Sequence, residues 1–319
     1  MTHHDPATIT QTGRTVACVS SRGSTRTRAS LLTGPVGIAL LVLAWSSTFT
    51  AAKIGLEDAP PLLFGGLRTL LGGLVVAALA WRRAGPLDLR RTWRVHAELG
   101  FWNVVVFFAL QTLAIQALPS GLAAVLIYLQ PLLLAVLAWR FLGESMNAAK
   151  VVGLLVGFAG IVLVSAGAFD GHISAAGVAY AVLGALVWAI GTVSFKRSQD
   201  RVDQLWAVAV PFVGGGLVLT VLGAITEGTD IDWSGGFVAA LLYTSLIGSA
   251  LAWVLWFGLV AAGDASRASS YIFLVPVVAV LLGVLLLDET FRVEQVAGSL
   301  LVVVGIYLVN RRVRTTALR

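Results

Sequence analysis

Long apolar runs dominate the chain and are separated by short segments that hold most of the charges and turn-forming residues. A helix that crosses a bilayer needs about 20 mostly apolar residues, because the hydrocarbon core is about 30 Å thick and the rise is about 1.5 Å per residue. Ten such runs predict ten transmembrane helices, over residues 34–54, 61–81, 99–117, 119–139, 150–168, 175–195, 205–225, 236–260, 266–287 and 293–310.

Composition agrees with this pattern. The 319 residues are 58% hydrophobic and only 12% charged, whereas about a quarter of the residues in a soluble domain are charged. An ordinary soluble globule and a disordered chain are both excluded, and the predicted class is an all-α integral membrane protein. The exception is the segment 1–33, which is rich in Ser, Thr and Arg and is expected to be a disordered cytoplasmic tail.

The reactive side chains are few. Cys18 is the only cysteine, which excludes an intrachain disulfide framework and a cysteine-based zinc site. The three lysines are followed by Ile54, Val151 and Arg197, so the chain lacks the Gly-Lys-Ser/Thr loop that cradles phosphates. We therefore expect no metal and no cofactor, and ATP-driven transport by this chain alone is disfavoured.

The basic residues predict an orientation in the membrane. Nineteen of the 22 lysines and arginines lie in the tails and alternate loops that the ten spans place on one side, and Arg292 is the one in a loop on the other side. Cytoplasmic loops carry such an excess, so both termini are predicted to be cytoplasmic in a plasma or inner membrane. Because the charges are divided among many loops, they do not form a nucleic-acid-binding patch.

The chain also contains an internal repeat. Residues 126–163 match 271–308 at an offset of 145, and the segment from Trp45 to Lys53 matches that from Trp188 to Lys196 at 143. The matched residues of the longer segment are Pro131 with Pro276, Glu144 with Glu289, Gly153 with Gly298 and Gly160 with Gly305. Each copy, 34–168 and 169–312, holds five spans, and 313–319 forms a second cytoplasmic tail. Five is odd, so the copies are predicted to be inverted-topology repeats, an arrangement typical of secondary transporters with a site near the midplane.

These residues resemble a known family. The Trp45-to-Lys53 segment is followed by Pro60-Pro61 and Arg68, and two copies of a proline helix and an acidic turn end at Glu144 and Glu289. In order, spacing and duplication this is similar to the EamA-type members of the drug/metabolite transporter superfamily, over about residues 34–310. The resemblance implies a permease with ten helices in two repeats, and secondary transport that is most often export of amino acids, metabolites or drugs.

Arg68 is the sharpest candidate for a functional residue. It lies seven residues inside the second span, and an arginine in that position is costly unless it faces a cavity or a partner. One interpretation is that it binds a carboxylate or phosphate group of a substrate. The other is a structural arginine that caps helix-end carbonyls or extends towards the interface. Its repeat-equivalent position holds Pro211, so Arg68 breaks the internal symmetry.

Aromatic and polar side chains at helical spacing predict the remainder of a substrate cavity, since such sites are mostly apolar with a few polar anchors. The candidates besides Arg68 are Trp45, Thr48, Gln111, Thr112, Gln116, Tyr128, Trp188, Ser249, Trp253 and Tyr271. For the tryptophans the alternative is an interfacial belt, and for the hydroxyl groups it is bonding to their own helix.

Other residues are candidates for gating or helix packing. Lys53, Lys196, Glu144 and Glu289 close matched helices, where they can act at a gate or stabilise helix ends. Each glutamate precedes a further helix and is interpreted mainly as a stabiliser of that helix's N-terminus. Pro131 and Pro276 are expected to kink their spans, and Gly153, Gly157 and Gly298 suit close packing of two helices.

The predicted function is a transporter with a small-molecule substrate, embedded in the lipid bilayer, and more often an exporter than an importer. A membrane-embedded enzyme is disfavoured because the spans supply no cluster of His, Asp, Glu or Cys. A multidrug exporter of lipophilic cations and a non-transporting sensor or assembly protein remain as alternatives. Carboxylate-based proton coupling is doubtful, since all sixteen acidic residues lie in loops or at span ends.

Overall fold

The computed structural model describes residues 34–165, 173–287 and 293–311, which form helices joined by short turns. The predicted tails, 1–33 and 313–319, and the candidate Glu289 lie outside the described residues. No strand occurs in the described ranges. The helices are numbered here from α1 to α10 in chain order.

The first half contains five helical units. Helix α1 is Pro35–Gly55, α2 is Pro61–Arg83 and α3 is Leu89–Ala117. The fourth unit is divided into α4a, Ser120–Ile127, and α4b, Gln130–Leu142, and α5 is Ala148–Val164.

The second half repeats this order. Helix α6 is Ala175–Ser198, α7 is Gln204–Thr226 and α8 is Gly235–Ala262. Helix α9 begins with Ala265–Ser270, tightens into a 3₁₀ turn at Tyr271–Phe273 and continues as Leu274–Leu287. Helix α10 is Val293–Asn310.

Nine helical units, counted over the described residues, are long and apolar enough to cross a bilayer. Helix α5 is also apolar but has 17 residues, and it ends before the predicted limit of its span at residue 168. Over the ranges that the structure describes, the protein is all-helical, with the apolar helices of a multi-pass membrane protein.

Helix α3 begins ten residues earlier than predicted. Its first part, Leu89–Gly100, carries three exposed arginines and is amphipathic, so a search for apolar runs does not detect it. The chain then widens into a π-helical segment, Phe101–Val106, before the α-helix resumes at Phe107. Helix α8 has a π-helical segment at Thr244–Leu251, the repeat-equivalent region.

The two candidate prolines lie near breaks in their helices. Pro131 is in the first turn of α4b, just after the turn at Tyr128 and Leu129 that ends α4a. Pro276 lies near the start of the last segment of α9, just after the 3₁₀ turn Tyr271–Phe273. Proline is tolerated in a first turn, where its missing N–H has no partner to lose. The expected kink is therefore a change of helical segment rather than a bend in a continuous helix.

Glycines allow two pairs of helices to approach closely. Helix α2 packs along α7, where a Cβ on Gly73 would lie 2.8 Å from Phe212 and one on Gly216 would lie 2.5 Å from the backbone of Leu70. The later residue of α2, Gly73, meets the earlier residue of α7, Phe212, so the two helices are antiparallel.

Helix α5 packs against α10 in the same way. A Cβ on Gly153 would lie 2.8 Å from the carbonyl oxygen of Gly305, and one on Gly160 would lie 2.6 Å from that of Gly298. Gly157 faces the ring of Phe273 instead. Each glycine occupies a place where any side chain would collide with a neighbouring helix.

Candidate binding cavity

A small cavity, of about 20 Å³, lies between the two halves of the chain. It is bounded by α1, α2, α3, α4a, α6 and α8. The residues that line it are Trp45, Thr48, Phe49, Ala52, Arg68, Phe107, Phe108, Gln111, Ile115, Ile127, Tyr128, Trp188 and Trp253. The lining is mostly aromatic, with one charged side chain.

Arg68 supplies that charge. Helix α2 starts at Pro61, whose fixed φ suits a first turn, and two turns later the helix directs Arg68 towards α3. The side chain is only 3% exposed, and its guanidinium carbon lies 4.8 Å from the centre of the Phe108 ring. Within the described residues, Nε of Arg68 has no hydrogen-bond partner and the side chain forms no ion pair. A buried cation beside a cavity attracts an anionic group.

Tryptophans form the wall of the cavity between the repeats. The Trp45 ring is 5.2 Å from the repeat-matched Trp188 and 6.5 Å from Trp253, in edge-to-face contacts. Phe107 lies 5.3 Å from Trp188 and 5.9 Å from Trp253. Aromatic pairs at these separations attract one another, so the wall is closely packed.

Three uncharged polar side chains complete the lining. Thr48 donates its hydroxyl hydrogen to the carbonyl of Ala44 at 2.5 Å, so its oxygen can still accept a hydrogen bond. The amide oxygen of Gln111 is buried and has no hydrogen-bond partner within the described part of the chain. Tyr128, at the end of α4a, is 2% exposed and packs beside Phe49.

Two matched lysines tie helix ends together at opposite ends of the protein. Lys53, at the end of α1, donates to the carbonyl of Ile115 in α3 at 3.1 Å. Lys196, at the end of α6, donates to the carbonyls of Val260 and Ala261 in α8 at 2.9 and 3.2 Å. Both bind the carbonyl-rich C-terminal end of a helix, where a cation is favourable.

The end of the protein near Lys196 is closed by further contacts. The rings of Phe195 and Phe257 stack at 3.9 Å. Glu144 accepts hydrogen bonds from the backbone of Ala265 and Ser266 at 2.5 and 3.2 Å, and from the Ser266 hydroxyl. Glu144 therefore contacts the start of α9 in the other half, and it also pairs with Lys150 in α5, the helix that follows it.

The sequence matches the model of the EamA-like transporter family twice, over residues 32–166 and 175–311. The chain belongs to the EamA-like transporter family. Its two halves, α1–α5 and α6–α10, are the two EamA repeats, and the family describes membrane transporters rather than enzymes.

Named relatives agree with this assignment. A Bacillus subtilis protein, "Uncharacterized transporter YvbV", is 40% identical over 288 residues, which are 90% of this chain and 93% of that protein. An Escherichia coli protein, "Uncharacterized inner membrane transporter YedA", is 31% identical over 82% of this chain and 86% of its own length. A solved crystal structure has a TM-score of 0.74 over 89% of this chain and 96% of that one, at 23% identity, which shows a shared fold.

Seven of the eleven predicted substrate-binding residues of this EamA-like protein line the cavity. They are Trp45, Thr48, Arg68, Gln111, Tyr128, Trp188 and Trp253. The structure thus brings together side chains from α1, α2, α3, α4a, α6 and α8 that are far apart in sequence.

The other four predicted residues lie elsewhere. Thr112 faces Gly65 of α2 and bonds to its own helix, and Gln116 is exposed. Ser249 packs against Gly72, where a Cβ would lie 2.8 Å from it. The hydroxyl of Tyr271 donates to Asn310 of α10 at 3.3 Å. Each lies on a side of its helix that faces a neighbouring helix or the surroundings instead of the cavity.

Several cavity residues were missed because they are apolar and indistinguishable from packing residues in sequence. They are Phe49, Ala52, Phe107, Ile115 and Ile127. A weak signal was present, since Phe49 and Ala52 continue the face of α1 set by Trp45 and Thr48 at spacings of three and four residues. Ile115 likewise follows Gln111 by four.

Proposed function

We propose that this EamA-like protein is a secondary transporter that exports small organic solutes carrying a carboxylate, such as amino acids or related metabolites. The solute binds in the cavity between the repeats, and alternating access exposes that cavity to each side of the membrane in turn. The outward direction rests on the family resemblance.

The observation that carries the proposal is the position of Arg68. A buried guanidinium group that has no acidic partner in the described residues, beside a cavity, is an anchor for an anion. The aromatic wall of Trp45, Trp188 and Trp253 would cover the apolar part of the solute.

Alternating access would follow from inversion of the two repeats, with α5 as the tenth span. Two observations support inversion. The glycine contacts make α2 antiparallel to α7 and α5 antiparallel to α10, as two inverted copies require. In addition, Lys53 with Ile115 and Lys196 with Val260 are equivalent contacts at opposite ends.

We propose that in this conformation the cavity lies closer to the outside than to the cytoplasm. The cavity is lined by Ala52 and Ile115, next to the Lys53 end, whereas the Lys196 end is closed by Glu144 and the Phe195–Phe257 stack. The distribution of basic residues supports a cytoplasmic location for the Lys196 end and both termini. The name of the Escherichia coli relative supports location in an inner membrane.

A thermal-shift screen of the purified protein in detergent tests the proposal. The ligands are amino acids, organic acids and lipophilic cations, and the proteins are wild type, Arg68→Ala and the control Arg82→Ala, an exposed arginine of the same helix. A ligand at a hundred-fold excess over its dissociation constant stabilises the folded state by about 2.7 kcal/mol.

Stabilisation by carboxylates that disappears only in Arg68→Ala supports the proposal. Stabilisation by lipophilic cations that persists in Arg68→Ala contradicts it, and indicates a multidrug exporter whose aromatic wall binds cations.

A further inference from the structure

Three buried polar groups that line the cavity have no hydrogen-bond partner in the described residues: the donors Nε of Arg68 and Nε1 of Trp188, and the acceptor oxygen of Gln111. Burial of a polar group without a partner costs about 1–3 kcal/mol. A solute that satisfies both Arg68 and Gln111 is therefore favoured over one that satisfies only Arg68.

The spacing of the Arg68 and Gln111 groups can be placed through Phe108. The Arg68 guanidinium lies over the Phe108 ring, and Gln111 is three residues further along the same α-helix. Residues three apart on a helix are neighbours on one face, about 4.5 Å apart along the axis. The two groups thus reach the cavity at positions about one helical turn apart along α3.

We propose that Gln111 determines specificity by selecting carboxylic acids that carry a hydrogen-bond donor close to the carboxylate, as 2-amino and 2-hydroxy acids do. The carboxylate binds Arg68, and the ammonium or hydroxyl group donates to the Gln111 amide oxygen. Unsubstituted acids with the same hydrocarbon body leave that oxygen without a partner. This inference rests on the proposed carboxylate site.

The rest of the lining fits such a solute. Thr48 already donates to Ala44 and presents an oxygen that accepts, and no Asp or Glu lines the cavity in the described structure. The neutral oxygens of Thr48 and Gln111 can therefore accept a hydrogen bond from a substituent of the solute. One carboxylate of the solute balances the single positive charge of Arg68. The aromatic wall would pack against an aromatic or branched aliphatic body.

Binding of two matched series of acids to the purified full-length protein tests the inference. One series is phenylalanine, 3-phenyllactate and 3-phenylpropionate, and the other is leucine, 2-hydroxy-4-methylpentanoate and 4-methylpentanoate. Dissociation constants are measured for wild type, Gln111→Leu and the control Gln116→Leu, which removes an exposed amide of the same helix. Size-exclusion profiles and thermal unfolding establish that each variant is folded.

In wild type and Gln116→Leu, we expect the 2-substituted acids of at least one series to bind about tenfold more tightly than the unsubstituted acid. In Gln111→Leu, the difference should fall below about twofold, because the acceptor is gone. A second variant, Gln111→Asn, keeps an acceptor and should retain part of the preference.

Each contrary outcome has a distinct meaning. Equal binding of substituted and unsubstituted acids by wild type overturns the inference and leaves the carboxylate site intact. A preference that survives in Gln111→Leu overturns the assignment to Gln111. Failure of all six acids to bind overturns the carboxylate site and the inference with it.

Discussion

The guanidinium carbon of Arg68 and the ring centre of Phe108 are 4.8 Å apart, across the contact between α2 and α3. This cation–π contact holds the buried charge at the cavity surface, and Phe108 is itself fixed by the Phe212 ring at 5.7 Å. The anchor is therefore positioned by an aromatic side chain rather than by a carboxylate, which leaves its charge available to a solute.

Replacement of Phe108 by leucine should weaken carboxylate binding by about two- to thirtyfold, the equivalent of about 0.5–2 kcal/mol for a cation–π contact. Binding of a carboxylate that stabilises the wild type is the measurement. Phe212→Leu is the control, because Phe212 touches Phe108 but does not line the cavity. An equal loss in both variants would assign the effect to general packing of the aromatic cluster.

Alanine at Gly216 should destabilise the protein by about 1–3 kcal/mol, because its Cβ would collide with α2 and overpacking costs about that much. A Cβ added at Gly216 would lie 2.5 Å from the backbone nitrogen of Leu70. Gly214, two residues away on the same helix, serves as the control, because a Cβ added there would have nothing within 4 Å. Reversible unfolding in mixed micelles measures both variants, and equal stability would contradict the close packing of α2 with α7.

Glutamine at Glu144 should open the end of the protein that lies near Lys196. The substitution removes a carboxylate that accepts hydrogen bonds from α9 and lies 3.4 Å from Nζ of Lys150. Loss of the charge weakens these bonds, since charge-assisted hydrogen bonds are about twice as strong as neutral ones. The buried Ser198, replaced by cysteine in a Cys18→Ser background, should then react severalfold faster with a maleimide.

Glu98→Gln is the matched control for that experiment, because Glu98 is an exposed carboxylate in α3. An unchanged labelling rate in Glu144→Gln would show that Glu144 has no part in closing this end.

Topology reporters should show that both termini are cytoplasmic. Alkaline phosphatase is active only outside the cytoplasm, so a fusion after Gly228, between α7 and α8, should be active and one after Arg201, between α6 and α7, inactive. Positive charge is concentrated in the loops predicted to stay inside. The reverse pattern of activities would contradict the orientation and place the cavity nearer the cytoplasmic side.

Apolar periodicity predicted most of the helices because the bilayer requires it. Helix α2 was predicted over 61–81 and is Pro61–Arg83, and helix α10 was predicted over 293–310 and is Val293–Asn310. Two helices, α3 and α4, differ from the prediction, and each difference has a physical reason. The start of α3 is amphipathic, and Pro131, predicted to kink its span, instead begins a new helical segment after Tyr128 and Leu129.

The cavity was predictable where polarity conflicts with burial, as at Arg68 and Gln111. It was not predictable at Phe107 or Ile115, since an apolar side chain fits a cavity, a helix contact or lipid equally well. Ser249 and Tyr271 were assigned to the cavity because they are polar. In the structure they contact neighbouring helices instead, Ser249 at Gly72 and Tyr271 at Asn310.

The central claim is that this EamA-like protein carries an anionic organic solute through the cavity at Arg68. Transport into proteoliposomes tests it most directly, with a radiolabelled carboxylate chosen from the thermal-shift screen and with wild type, Arg68→Ala and Arg82→Ala. We predict saturable transport by wild type and Arg82→Ala. A folded Arg68→Ala protein should give no more transport than protein-free liposomes. Wild-type rates in Arg68→Ala would contradict the account.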